Sequence, residues 1–170
     1  MNHLKTTPSG IDKKIEQLQK PLYRVLKDLN AKVIGFGRVF RNQQPTGIAL
    51  EVHKGNGEYE PVLDGEDSRF FFYLHNDLEG DTNITAKVDV VCMVNLDEFY
   101  EGPERRDEEF RAVVQQEIQN SPFNLKKTVI GTEYLERMLP DVFKKTNLRF
   151  SDAHPTHVVT FQTEVNYKNQ

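Results

Sequence analysis

Two periodicities divide this chain. Between residues 11 and 30, Ile11, Ile15, Leu18, Leu22, Val25, Leu26 and Leu29 recur at three- and four-residue spacing, which predicts a helix with one apolar face. Ser9 stands ahead of it as a cap. Pro21 falls inside the stripe, and because proline removes a backbone donor and crowds the preceding turn, a kink or break is expected near Lys20. A second stripe, Phe110, Val113, Val114 and Ile118, follows Pro103, with early acids that suit the positive end of a helix dipole. Asn120, Ser121 and Pro122 mark its end.

Elsewhere the period is two. "KVIGFGRVF" (32–40) and "IALEV" (48–52) read as a hairpin joined by the polar loop from Asn42 to Gly47, and "SRFFFYLH" (68–75) as a short strand between turns. In "ITAKVDVVCMVNL" (84–96), Val88, Val90, Cys92, Val94 and Leu96 share a core face, while Lys87, Asp89 and Asn95 fall on a face expected to be at least partly wet. "LKKTVI" (125–130) is a further strand. A short helix follows from Thr132 through Leu135, Met138 and Leu139 to a stop at Pro140. The longest alternating run, 156–167, aligns Val159, Phe161, Thr163, Val165 and Tyr167. Strands precede and follow a central helix without the strand-helix rhythm of a doubly wound sheet. The expected fold is therefore α+β: a mainly antiparallel sheet packed by an N-terminal and a central amphipathic helix. It forms one domain over 8–167, with residues 1–7 and 168–170 frayed.

Composition narrows the function. A chain of 170 residues can bury a sizeable core without staples, and its single cysteine, Cys92, excludes an internal disulfide and a cysteine-based zinc site. Net charge is −4, with basic residues interspersed among acids, so no groove for specific nucleic-acid binding is expected. The first residues lack a signal-peptide pattern, and no apolar run approaches the roughly 18 residues of a membrane span. The chain reads as soluble, with no membrane partner. Eleven Phe and six Tyr supply contact area for a core or for subunit interfaces.

Motifs that promise chemistry fail on inspection. "HKGNGEY" lacks the helix and the Lys-Ser/Thr pair of a phosphate loop, and Asn56-Gly57 signals a turn instead. "DLEGDTN" offers oxygens at Asp77, Glu79, Asp81 and Asn83, but its glycine and the residue twelfth from Asp77, Val88, do not fit a calcium loop. Asp152, His154 and His157 surround Pro155 without the spacing of a metal site. The acids between Asp97 and Glu109 lie among Arg105, Arg106 and Arg111, which reads as an exposed charged face rather than a raised-pKa general acid. Cys92, on an apolar strand face, reads as packing. No nucleophile elbow, zincin or Walker pattern is present. The expectation is a protein that is not an enzyme, with no catalytic, cofactor-binding or metal residues and no cofactor.

The succession of an N-terminal amphipathic helix, "GFGRVFRN", "ALEVHKGNGEYEPVL", "RFFFYL" and "KVDVVCMVNLDEFY", followed by "DEEFRAVVQQEIQ" and "HPTHVVTFQTEVNY", resembles neck proteins of tailed phages and prophages of Bacteroidetes. The likeness is to the tail terminator and tail-completion group. It implies a virion structural protein that forms a ring, commonly sixfold, at the head-proximal end of the tail tube. Its partners would be copies of itself, the tube protein and the head connector or stopper, and it would sit in the virion after assembly in the host cytoplasm. Ring closure needs heterologous contacts. The polar loops are the candidates, through Asn42, Gln43, Gln44, Pro45 and Thr46, and through Asp77, Leu78, Glu79 and Asp81. An acidic ring would let DNA slide through without holding it. Two alternatives stand beside it: a head-to-tail connector or stopper of the same neck, and a monomeric cytoplasmic adaptor or ligand-binding domain with a defined apolar pocket.

Overall fold

The first apolar stripe becomes α1 (Ile11–Leu29), with Ile11, Ile15, Leu18, Leu22 and Leu26 buried along one face. The computed structural model describes residues 1–55, 57–143 and 150–169. The break expected at Pro21 does not occur, since the helix is continuous across it. An interior proline costs about 3 kcal/mol, whereas each large aliphatic side chain buried on either side contributes about 1.5–3 kcal/mol. Packing outweighs the lost bond. Ser9 is not the cap: Gly10, at φ 53, takes that position with no side-chain bond, and the Ser9 carbonyl accepts from the Asp12 N–H at 3.0 Å.

The remaining elements follow the chain as β1 (Asn2–His3), β2 (Ile34–Gln44), β3 (Gly47–Gly55), β4 (Glu58–Pro61), β5 (Arg69–Glu79), β6 (Asn83–Asn95), α2 (Asp107–Gln119), β7 (Asn124–Ile130), α3 (Glu133–Met138), α4 (Pro140–Phe143) and β8 (Thr156–Lys168). Among the described residues, eight strands form one sheet in the order β4-β3-β2-β5-β6-β8-β7, with β1 beside β2. The pairs β1–β2 and β2–β5 are parallel and the others antiparallel. The fold is α+β with a mainly antiparallel sheet.

Both faces of the sheet are covered. On one, the stripes of α1 and α2 join Phe70, Phe72, Val88, Val90, Cys92, Val159 and Phe161 in a single buried cluster. On the other, Phe71, Val91, Met93 and Val158 pack with Val39, Leu50 and Val52 of β2 and β3 and with Leu135, Leu139 and Val142 of α3 and α4. The β6 face expected to be partly wet is so at its ends, where Lys87 is exposed and Asn95 half-buried, but its centre is core, and Asp89 there is only 1% exposed. α3 ends at Met138 with Leu139 as its C-cap, so the expected stop at Pro140 is found, and Pro140 then opens α4, where its missing N–H is no loss.

Residues 1–7 do not simply fray as expected. β1 lies along β2 at Gly35 and Phe36, and Gln19 of α1 donates to Asn2 Oδ1 at 2.8 Å and to the His3 carbonyl at 2.9 Å. The "GFG" of β2 permits this approach. A Cβ on Gly35 would lie 2.7 Å from Asn2 Oδ1 and 2.8 Å from the Phe70 ring, and one on Gly37 would lie 3.1 Å from Gln19 Oε1.

Candidate functional site

The two loops singled out for partner contacts emerge as hairpin turns. β2 and β3 pair as far as Gln44 and Gly47, so the expected six-residue loop shrinks to the turn Pro45-Thr46. Asn42, Gln43 and Gln44 are strand residues. Glu51, 8% exposed, gathers two of them: Asn42 Nδ2 and Gln44 Nε2 donate to its Oε1 at 3.0 and 2.9 Å. The carboxylate and the two amides lock the hairpin arm, leaving Gln43, Pro45 and Thr46 exposed at its tip. In the second hairpin Asp77, Leu78 and Glu79 belong to β5 and Asp81 to the turn, and all four are exposed, Leu78 at 46%. β2 and β5 run parallel, so both turns leave the same end of the sheet. Each predicted group follows the part of its strand that lies beyond the β2–β5 pairing, which ends at Arg38 and Phe72.

The "HKGNGEY" reversal connects β3 to β4, with Gly57 at φ 75, as a turn requires; Asn56 lies outside the described residues. Across β2–β4, opposed positions create an aromatic outer face. Phe40 and Tyr59 meet edge to face at 6.4 Å, His53 and Tyr59 at 5.1 Å, and the Arg38 guanidinium stacks 4.5 Å over Phe40. Sequence reading did not single out these residues. The signal available was alternation: Arg38, Phe40 and Asn42 on one strand, Glu51 and His53 on the next.

Polar side chains that resemble chemistry turn out to be structural. Asp89 Oδ2 accepts from the Tyr134 hydroxyl at 2.7 Å and contacts His75 Nε2 at 2.9 Å, which pins α3 to the sheet. Burial, then the hydrogen bond to Asp89 and its charge, push the Tyr134 phenol well above its ordinary value. Asp152 and His157 do meet, at 2.6 Å, but Arg105 and Arg111 complete the cluster at 3.3 Å from the two ring nitrogens. Two guanidiniums repel a cation, and His154 turns away toward Asp97 at 3.9 Å. Burial lowers the His157 pKa, against the opposing pull of Asp152. This cluster ties the start of α2 to the start of β8. Among the described residues, no group of three or more His, Cys, Asp or Glu is placed to hold a metal. Cys92 is buried, and desolvation pushes its thiol far up, away from thiolate chemistry.

Asp107 bridges Arg105 at 3.4 Å and Arg111 at 3.2 Å, while Glu98 accepts from Asn30 at 3.1 Å and Ser68 at 3.2 Å. Glu98 and Asp107 thus serve as ties, while Glu101, Glu104, Glu108 and Glu109 lie on an exposed charged face. No helix among the described residues is long and apolar enough to cross a membrane.

Family models, curated proteins and solved structures compared with this chain give no match. The geometry therefore has to carry the functional reading alone. It offers a sheet whose central strands have a buried core on each face, polar clusters committed to internal ties, and two exposed turns at one end.

Proposed function

We propose that this chain is an assembly subunit: a virion structural protein that forms a closed ring at the head-proximal end of a phage tail and joins the tube to the head connector. The observation that supports this reading best is the common direction of the two exposed hairpin turns, Pro45-Thr46 and the Asp77–Asp81 segment, at one end of a sheet packed by helices α1 and α2. A ring subunit needs a stiff body and a set of contacts displaced from it. An arm locked by Glu51 presents its tip at low cost in conformational entropy, and Leu78 supplies an apolar anchor among acids.

Negative-stain imaging of the purified chain, alone and with a phage tail-tube protein, tests the reading. Closed rings, free or capping tube ends, are expected. A chain that stays monomeric at high concentration and ignores the tube contradicts it. Binding to a portal-side adaptor instead of the tube would move the chain to the connector or stopper position in the same neck.

A further inference from the structure

Beside the start of α1, where β6 begins and β8 ends, lies an open groove of about 710 Å³. Lys13, Lys14 and Lys168 line it, and no carboxylate does. The nearby Lys5 and Lys20 are paired with Asp12 and Glu16, whereas these three lysines form no ion pair among the described residues. Lys13 and Lys168 are exposed and Lys14 is half-buried. A concave surface carrying one sign of charge concentrates its field on whatever enters, and in a chain of net charge −4 this groove stands apart.

The opposite condition holds at the β5–β6 turn. Asp77, Glu79 and Asp81 are exposed there, and they too have no ion pair among the described residues. The turn is held in one shape: Gly80 is at φ 106, where an added Cβ would overlap the Asn83 carbonyl oxygen, and the Thr82 carbonyl accepts from the Asn169 N–H at 3.1 Å. A loop already ordered loses little entropy on binding.

β6 pairs with β5 on one side and β8 on the other, so turn and groove flank it on opposite sides at one end of the sheet. Copies set side by side would bring the turn of one to the groove of the next, a heterologous contact. A nucleic-acid strand laid in the groove would run onto the acids beside it. A second copy instead brings acids of its own to the lysines, together with Leu78, whose apolar match is the half-buried Tyr167 ring in the groove wall.

We infer that this groove receives the Asp77–Asp81 turn of a second copy of the chain, its lysines meeting the three acids and Leu78 lying against Tyr167. The inference rests on the reading of the chain as a self-assembling subunit and names the two surfaces that meet.

Sedimentation velocity of the full chain tests it with two charge reversals, Lys13→Glu with Lys14→Glu in the groove and Asp77→Lys with Glu79→Lys in the turn. Each alone sets like charges against each other and should weaken self-association at least about tenfold. Mixed in equal amounts, the two variants should associate again, because the acidic turn of the first fits the basic groove of the second and the basic turn of the second fits the acidic groove of the first. Should a reversal fail to fold, the wild type carries the test. Raising salt from about 0.1 M to about 1 M shortens the screening length from about 10 Å to about 3 Å, and its association should weaken at least about tenfold. Closed rings that neither reversal nor salt disturbs overturn this inference and leave the assembly reading standing, and a mixture that fails to associate does the same. Open chains of copies that the reversals break and the mixture restores uphold the contact and overturn the ring. A wild type that is monomeric at every concentration, or that binds duplex DNA through the groove lysines and not a second copy, overturns both.

Discussion

The two layers that cover the sheet are built differently. The α1 and α2 side is nearly all aliphatic and aromatic, with Leu18, Leu22, Val114, Phe72 and Phe161 in one continuous cluster. The side covered by β2–β4, α3 and α4 also has an apolar centre, but polar ties hold its covering parts in place. Arg69, 2% exposed, donates through Nε to the Asp67 carbonyl and through Nη1 to those of Val62 and Asp64, and so fastens the loop before β5. Tyr134 fastens α3 through Asp89, and the two amides fasten the arm through Glu51. Burial of apolar area supplies stability without direction, whereas hydrogen bonds of fixed geometry place short elements that could not hold their position alone. The first layer makes the body stiff; the second aims the parts that reach outward.

That contrast breaks most easily on the aliphatic side. Phe72→Ala, which removes a ring packed against Phe70 and Phe123, should destabilise the fold by about 3–5 kcal/mol in urea unfolding. Arg69→Met leaves three carbonyls without their donor and should cost about 2–4 kcal/mol in the same assay. An unchanged midpoint would mean that the polar ties do not hold their layer. Tyr134→Phe removes a donor from buried Asp89 and should cost about 1–3 kcal/mol. The loss should shrink in an Asp89→Asn background, with a coupling of at least about 0.5 kcal/mol in a double-mutant cycle.

The pH dependence reads a polar tie on the α2 side, where His157 links the start of β8 to Arg105 and Arg111. Because burial lowers the folded pKa of His157, the unfolded chain binds more protons just below the ordinary histidine value. Its contribution to stability is in place above about pH 6.5 and is lost as pH falls from there through the lower folded value. His157→Gln should flatten that part of the unfolding profile. The smallest effect belongs to Gln44→Ala. It should cost about 0.5–1.5 kcal/mol while Asn42 still serves Glu51, and thermal unfolding reads it.

Sequence patterning exposed the aliphatic layer and concealed the other. α1, α2 and β8 were legible because each carries one apolar face at a single period, and the interior Pro21 misled only because local propensity says nothing of the packing around it. Asp89 alternates with valines and so reads as a wet position, although α3 comes from more than 40 residues away to cover it with Tyr134. Arg69 precedes "FFF" and looks like a strand-end charge, yet its partners are backbone carbonyls that no side-chain pattern reveals. β1 is two residues long and depends on Gly35, Gly37 and Gln19 to be held. At the candidate site, the exposed turns were visible as polar, glycine- and proline-bearing stretches. The aromatic outer face and the basic groove were not, because the first forms only when β2, β3 and β4 meet and the second only when α1 meets β6 and β8.

On the proposed reading the body supplies stability and the exposed turns supply assembly, a division that mutation can separate. Sedimentation velocity of the wild-type chain and of a Leu78→Asp, Thr46→Lys variant, with and without the tube protein, tests it most directly. The predicted result is a closed multimer for the wild type and monomer for the variant, with the two unfolding midpoints agreeing to within about 0.5 kcal/mol. Identical sedimentation of the two proteins, whether both assembled or both monomeric, would contradict it.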